Sequence, residues 1–161
     1  MSHSTGNRLS PFDFVQLYRG LGSGDMGLAA FDEVGDGQRL QIAVESFGFK
    51  HGLPLDADIV MDVRFLPNPH WDETLRPLTG HDPAVRDFVL ERAQASDFLD
   101  RFDDLMRSLL PSYESEGKSY LTVAFGCTGG RHRSVAVAEE LSRRLREHGY
   151  AVRTGHRDLS R

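Results

Sequence analysis

The sequence predicts an α/β protein of one domain: a mostly parallel sheet of about four strands, flanked by helices, with a phosphate-binding strand–turn–helix loop. Three observations lead there. Short apolar, β-branched runs alternate with segments of helical period, the pattern that builds parallel sheets through crossover connections. The length of 161 residues suits a single core. A run rich in glycine and arginine, AFGCTGGRHRSV over residues 124–135, joins one strand to the helix behind it.

Taken in order, residues 1–37 read as an N-terminal extension and 38–161 as the domain proper. The first nine residues are expected to be disordered. Ser10 and Pro11 then suit the start of a helix, serine as cap and proline in the first turn, and GSGDMG and VGDGQ follow as loops. RLQIAVESF (39–47) is the first strand, and DADIVMDVRF (56–65), rich in β-branched residues, the second. Pro67 and Pro69 make the next stretch irregular. Asp82-Pro83 opens a helix with Asp82 as its cap. From Ser96 to about Leu110, Phe98, Leu99, Phe102, Leu105, Met106 and Leu109 recur at helical spacing, and Pro111 is expected to close that helix. YLTVAFG (120–126) is a third strand, apolar enough to be covered on both faces. A helix from about His132 to His148 ends at Gly149, and YAVRT (150–154) is the fourth strand.

Composition narrows the function. The net charge of −5 argues against a surface that binds polyanions throughout. From Arg131 onward, however, eight arginines face four acidic residues, so the C-terminal fifth is locally basic. A solvated arginine-rich helix and an edge that meets phosphates or RNA both fit that bias. The single cysteine cannot form an internal disulfide. No apolar stretch has the length of a membrane helix, and MSHSTGNRLS lacks the apolar core of a secretion signal. The expectation is a cytoplasmic protein without membrane contact, bound metal or cofactor.

The unusual side chains follow the strands. Lys50 and His51 come after the first, Arg64, Asn68 and His70 after the second, Cys127 to Ser134 after the third, and His156 and Arg157 after the fourth. In an open parallel sheet these C-terminal ends share one edge, where crossover loops open a crevice. Cations and neutral donors delivered there from four loops suit a negatively charged ligand. Gly129 and Gly130 let the backbone of the third loop approach a ligand. Thr128 and Ser134 add hydroxyls, Arg131 and Arg133 add charge-assisted donors, and His132 stands at the helix start, whose free N–H groups favour anions. The chain holds no G-x-x-x-x-G-K-[ST] motif.

Cys127 and Arg133 are also spaced C-x5-R, as in the loop of cysteine-dependent phosphatases. There a thiolate attacks phosphorus and arginine grips the equatorial oxygens; Asp72 would be the general acid. The competing reading makes Cys127 a small apolar residue at a buried strand end.

Longer motifs carry a resemblance. ESFGFKHGLPLDADIVMDVRFLPNPHW, LRPLTGHD, GKSYLTVAFGCTGGRHRSV and HRDL, in that order over about residues 40–159, closely resemble the C-terminal domain of the RNase adapter protein RapZ family. The chain looks like a stand-alone form of that module, without the family's N-terminal P-loop nucleotide-binding domain. The resemblance implies a pocket for an amino-sugar phosphate, glucosamine-6-phosphate, and with the strand-end reading it makes the expected function a non-enzymatic sensor of a phosphorylated sugar or nucleotide-sugar. It places the ligand on Lys50, His51, Arg64, His70 and the loop Cys127, Thr128, Gly129, Gly130, Arg131, His132, Arg133 and Ser134, to which the strand-end reading adds Asn68. It also implies, as the alternative, an RNA-binding adaptor that works with a ribonuclease and assembles with itself or a protein partner.

Overall fold

A computed structural model describes residues 40–161; the expectations for residues 1–37, the Ser10-Pro11 helix included, lie outside them. Four strands, β1 (Gln41–Gly48), β2 (Ile59–Asp62), β3 (Tyr120–Cys127) and β4 (Ala151–His156), form one all-parallel sheet in the order β2-β3-β1-β4. Gly48 lies opposite Cys127, Ser46 opposite His156, and Asp62 opposite Gly126. The four C-terminal ends are therefore nearly level, and the loops that leave them share one edge.

Strand order also sets the layers. From β2 to β3, and from β3 to β4, the chain moves the same way across the sheet. Right-handed crossovers then put all intervening helices on one face: α1 (Pro83–Leu90), α2 (Ala93–Ser115) and α3 (Arg133–Glu147). Ile42, Val44, Leu121, Val123 and Phe125 meet Val89, Leu99, Met106, Leu141 and Leu145 there in one core. The step from β1 to β2 runs the other way with no α-helix, and its Phe49 covers the opposite face beside Phe47 and Gly126. Strand β3 is thus covered on both faces only near its end: Tyr120 is exposed and Thr122 half-buried, whereas Ala124 and Gly126 are buried.

Three local departures have identifiable causes. Strand β2 stops at Asp62 because its carboxylate accepts the Arg64 backbone N–H at 2.9 Å, turning the chain away from the ladder. Helix α2 continues through Pro111 to Ser115. Proline there forfeits one backbone bond, but Tyr113 beyond it packs against the core and holds the last turn. Asp82 does sit at the N-cap of α1, yet its carboxylate accepts from the Thr79 N–H (2.7 Å) and hydroxyl (3.0 Å) rather than from the helix. Helix α3 ends as its sequence predicts: Gly149, at φ +86°, lets its own N–H reach Arg146 O and that of Tyr150 reach Leu145 O.

Candidate functional site

The loops after β1 and β3 touch backbone to backbone. A side chain on Gly48 would stand 2.5 Å from the Gly129 carbonyl carbon, and one on Gly130 would stand 2.6 Å from the Gly48 nitrogen. Gly130 also takes φ +78°, which only glycine adopts cheaply. The Lys50 N–H donates to Thr128 O at 3.2 Å. Behind the contact, fully buried Asp158 accepts from the Gly48 N–H at 2.8 Å and from the Arg157 guanidinium at 2.8 and 3.0 Å. Burial pushes that carboxyl up, but the bonds from Arg157 and Gly48 outweigh it and hold it below its usual range.

On these loops opens a cleft of roughly 590 Å³, lined by Lys50, Asn68, His70, Trp71, Arg76, Cys127, Thr128, Gly129, Arg131, His132, Arg133 and Arg161. Five of these residues are cations, and none is a carboxylate. Among the described residues, Lys50, Arg76, Arg131 and Arg133 have no carboxylate within 4.0 Å; Arg161 alone approaches one, Asp158 at 3.5 Å. The arginines of α3 differ. Arg143 pairs with Glu140 and Glu147, and Arg144 with Glu140 and Asp100. Arg146 is bonded to Val152 O and Thr154. The basic bias of the C-terminal fifth is therefore largely answered within the helix layer but not in the cleft.

Arg133 is the central cation. Only 5% of it is exposed. Its Nη1 donates to the carbonyls of Arg64 (2.8 Å) and Leu66 (3.2 Å), and its Nη2 donates to the Thr128 hydroxyl at 3.3 Å. Its buried Nε–H has no partner, nor has that of Arg131. Desolvation pulls the Arg133 guanidinium below its ordinary value. A buried guanidinium held by neutral carbonyls, with donors to spare, has its charge uncompensated. Beside it, the Cys127 sulfur lies 3.1 Å from the Ser134 hydroxyl and accepts the Gly130 N–H at 3.3 Å. Burial raises the thiol, but the Ser134 hydroxyl and the N–H groups of Ser134, Gly130 and His132 outweigh it, and the net shift is downward. The His132 imidazole is held below its ordinary value chiefly by burial.

Of the residues singled out in the sequence, Lys50, Asn68, His70, Cys127, Thr128, Gly129, Arg131, His132 and Arg133 line the cleft. Gly130 and Ser134 lie behind it as the pivot and prop of the loop. His51 is half-buried, close enough to Asp158 to favour its charge. The Arg64 side chain turns away: its guanidinium grips Asp62 at 2.6–3.0 Å and lies 4.1 Å over the Phe49 ring, so only its carbonyl serves the site. Asp72 does not line the cleft. Its carboxylate accepts from the Thr74 hydroxyl and N–H, which hold it below its usual range, the wrong direction for a general acid. Arg76, Trp71 and Arg161 are the lining residues that the reading of strand ends does not select. Arg76 Nε donates to His70 O at 2.8 Å, pinning the Pro69–Trp71 turn, and Trp71 stands 78% exposed.

A family model described as RapZ C-terminal domain matches residues 40–160. A nucleotide-binding protein of Frankia casuarinae is 59% identical over 133 residues, covering 83% of this chain and 46% of that protein. Relatives of the same description are 60% identical over 126 residues in Mycolicibacterium paratuberculosis (76% of this chain, 41% of the relative) and 52% over 137 residues in Geobacter metallireducens (85% and 48%). The chain spans about half the length of the curated relatives it matches.

Proposed function

The chain belongs to the RapZ C-terminal domain family, and from that premise we propose that it is a non-enzymatic regulatory module whose cleft holds a phosphorylated small molecule, a sugar phosphate or nucleotide-sugar. The observation that carries this reading is Arg133: nine-tenths buried, facing no carboxylate, with an unpartnered Nε–H in a cleft of cations. A phosphate there meets the Arg133, Arg131 and Lys50 charges and the Thr128 hydroxyl, while His70 and Trp71 offer aromatic faces to the remainder of the ligand. Relatives are named nucleotide-binding proteins, and phosphate is the group that nucleotides and sugar phosphates share.

Calorimetry with glucosamine-6-phosphate, glucosamine and inorganic phosphate tests the reading. The phosphorylated sugar should bind and the bare sugar should not. A charge-assisted bond contributes about 1.5–3 kcal/mol, so Arg131→Ala and Arg133→Lys should each weaken binding by at least about tenfold. Equal affinity for both sugars, or unchanged affinity in both variants, refutes it.

The lowered Cys127 thiol favours a second reading, a cysteine-dependent phosphatase. That reading lacks an acid, because no carboxylate lines the cleft and Asp72 is engaged with Thr74. Release of phosphate from p-nitrophenyl phosphate, abolished by Cys127→Ser, would establish it; its absence leaves the binding module.

A further inference from the structure

Outside the cleft, three residues far apart in sequence bring metal-ligating atoms together. His81 precedes α1, Glu139 lies on α3, and His156 ends β4; one ligand atom from each lies within 4.8 Å of the others. Glu139 Oε1 is 2.9 Å from His156 Nε2 and 3.7 Å from His81 Nδ1. Bonds of 2.0–2.1 Å around a tetrahedral ion leave ligand atoms about 3.3 Å apart, a spacing this trio reaches by small side-chain adjustments. We propose that His81 Nδ1, Glu139 Oε1 and His156 Nε2 form a binding site for a divalent transition-metal ion of the zinc class, with the remaining position open to solvent.

Supporting contacts fix two of the three ligands. His156 Nδ1 lies 2.8 Å from the hydroxyl of Ser46, a fully buried residue that is its register partner across β1 and β4. Without metal, the neutral ring donates from Nε2 to Glu139 and accepts the Ser46 hydroxyl at Nδ1. With metal on Nε2, the tautomer reverses and Nδ1–H donates to a hydroxyl that rotates to receive it. His81 is placed by Gly80, whose N–H donates to Arg131 O at 2.8 Å and whose missing side chain leaves it packed on the first turn of α3. The two imidazoles meet edge to face, ring centres 4.7 Å apart.

A plain structural role accounts for part of the cluster. The Glu139–His156 hydrogen bond ties β4 to α3 whether or not an ion is present. His81 is what that role leaves over: it is half-exposed, and its Nδ1 faces Glu139 beyond hydrogen-bond distance. Two imidazoles and one carboxylate suit zinc and its neighbours better than calcium or magnesium, which take oxygen ligands. An ion here would cross-link the segment before α1, helix α3 and strand β4. It would add stability through binding the folded chain alone.

The test uses the full chain, stripped of metal by chelator and free of any affinity tag, titrated with Co²⁺. One equivalent should bind with the visible absorption of a four-coordinate site, and Zn²⁺ should displace it and raise the thermal midpoint. His81→Ala should weaken Co²⁺ binding more than tenfold and abolish the zinc-induced shift while leaving the metal-free melting curve unchanged. Ser46→Ala should weaken binding about tenfold, the usual loss when a ligand's supporting contact is removed, whereas His70→Ala should not alter it. Failure to bind one equivalent of Co²⁺, or binding that survives His81→Ala, overturns the proposal. Because phosphate does not enter this experiment, its outcome is independent of the cleft reading.

Discussion

Three glycine-to-alanine substitutions, two where the β1 and β3 loops meet and one at the end of α3, separate two physical costs. Gly149→Ala forces a left-handed residue in open space: φ is +86°, with nothing within 4 Å of the added methyl. Gly48→Ala does the reverse. Its φ of −107° suits any residue, but the methyl meets the Gly129 and Gly130 backbone at 2.5–2.8 Å. Gly130→Ala suffers both, at φ +78° and 2.6 Å from the Gly48 nitrogen. The left-handed term is about 1–2 kcal/mol, and overpacking adds about 1–3 kcal/mol. The expected losses are then about 1–2 kcal/mol for Gly149→Ala, about 1–3 for Gly48→Ala and about 2–5 for Gly130→Ala. Urea unfolding measures them, with an unchanged denaturant slope as the check that compactness is retained. At temperatures where all three stay folded, phosphate-ligand affinity should fall in the Gly48 and Gly130 variants and hold in the Gly149 variant. A Gly130→Ala protein as stable as Gly149→Ala would mean that the loops are not pressed together, and the account of the cleft floor would fail.

Other expectations follow from single contacts. Pro111→Ala restores a backbone donor inside α2 at an exposed position, so thermal unfolding should show a gain of about 1–3 kcal/mol; a loss would mean that the proline is needed for the helix path. Arg64→Ala should change ligand affinity less than threefold, because its guanidinium is committed to Asp62 and Phe49; a loss as large as that of Arg133→Lys in the same calorimetry would contradict this placement. The rate of Cys127 alkylation should rise with pH through an inflection below that of a free thiol, even though burial makes the absolute rate slow; an inflection at or above the free-thiol value counts against the sulfur contacts. His132 is held below the usual imidazole value, so its contribution to stability is complete above about pH 6.5 and is lost as pH falls through the folded value. Replacing it with asparagine should flatten the stability–pH curve on that acidic side, and an unchanged slope would refute the assignment.

The order of strands and helices was legible because hydrophobic period and apolar runs report burial directly. What misled lay in single side-chain choices. Strand β2 ended early because Asp62 captured an N–H two residues on, and α2 outlived Pro111 because Tyr113 found the core. The edge that carries the cleft followed from strand ends, but which cations face it did not. The D-x-R spacing of Asp62 and Arg64 was a usable signal of a local ion pair. Arg76 stood in the quoted LRPL motif without a strand to place it, and Arg161 becomes visible only when the chain after β4 is seen to return to the cleft. The His81, Glu139 and His156 group had no signature at all, since its spacings of 58 and 17 residues arise only from the topology.

The end of β4 explains how a cleft of like charges keeps its shape. Lys50, Arg131 and Arg133 repel one another, and with no carboxylate among the lining residues that repulsion favours spreading of their loops. HRDL opposes it from behind. The Arg157 N–H bonds to Ser46 O, its guanidinium reaches Gly52 O at 2.7 Å, and Asp158 takes the Gly48 N–H. These bonds anchor the β1 loop, which in turn bears on Gly129 and Gly130. The negative charge of Asp158 therefore goes mainly to backbone and Arg157, and of the lining cations it reaches Arg161 but not Lys50, Arg131 or Arg133. On the proposed reading that division preorganises the site: the loops are held together by groups that do not compete with the ligand, so an arriving phosphate gains the cations without first displacing a carboxylate.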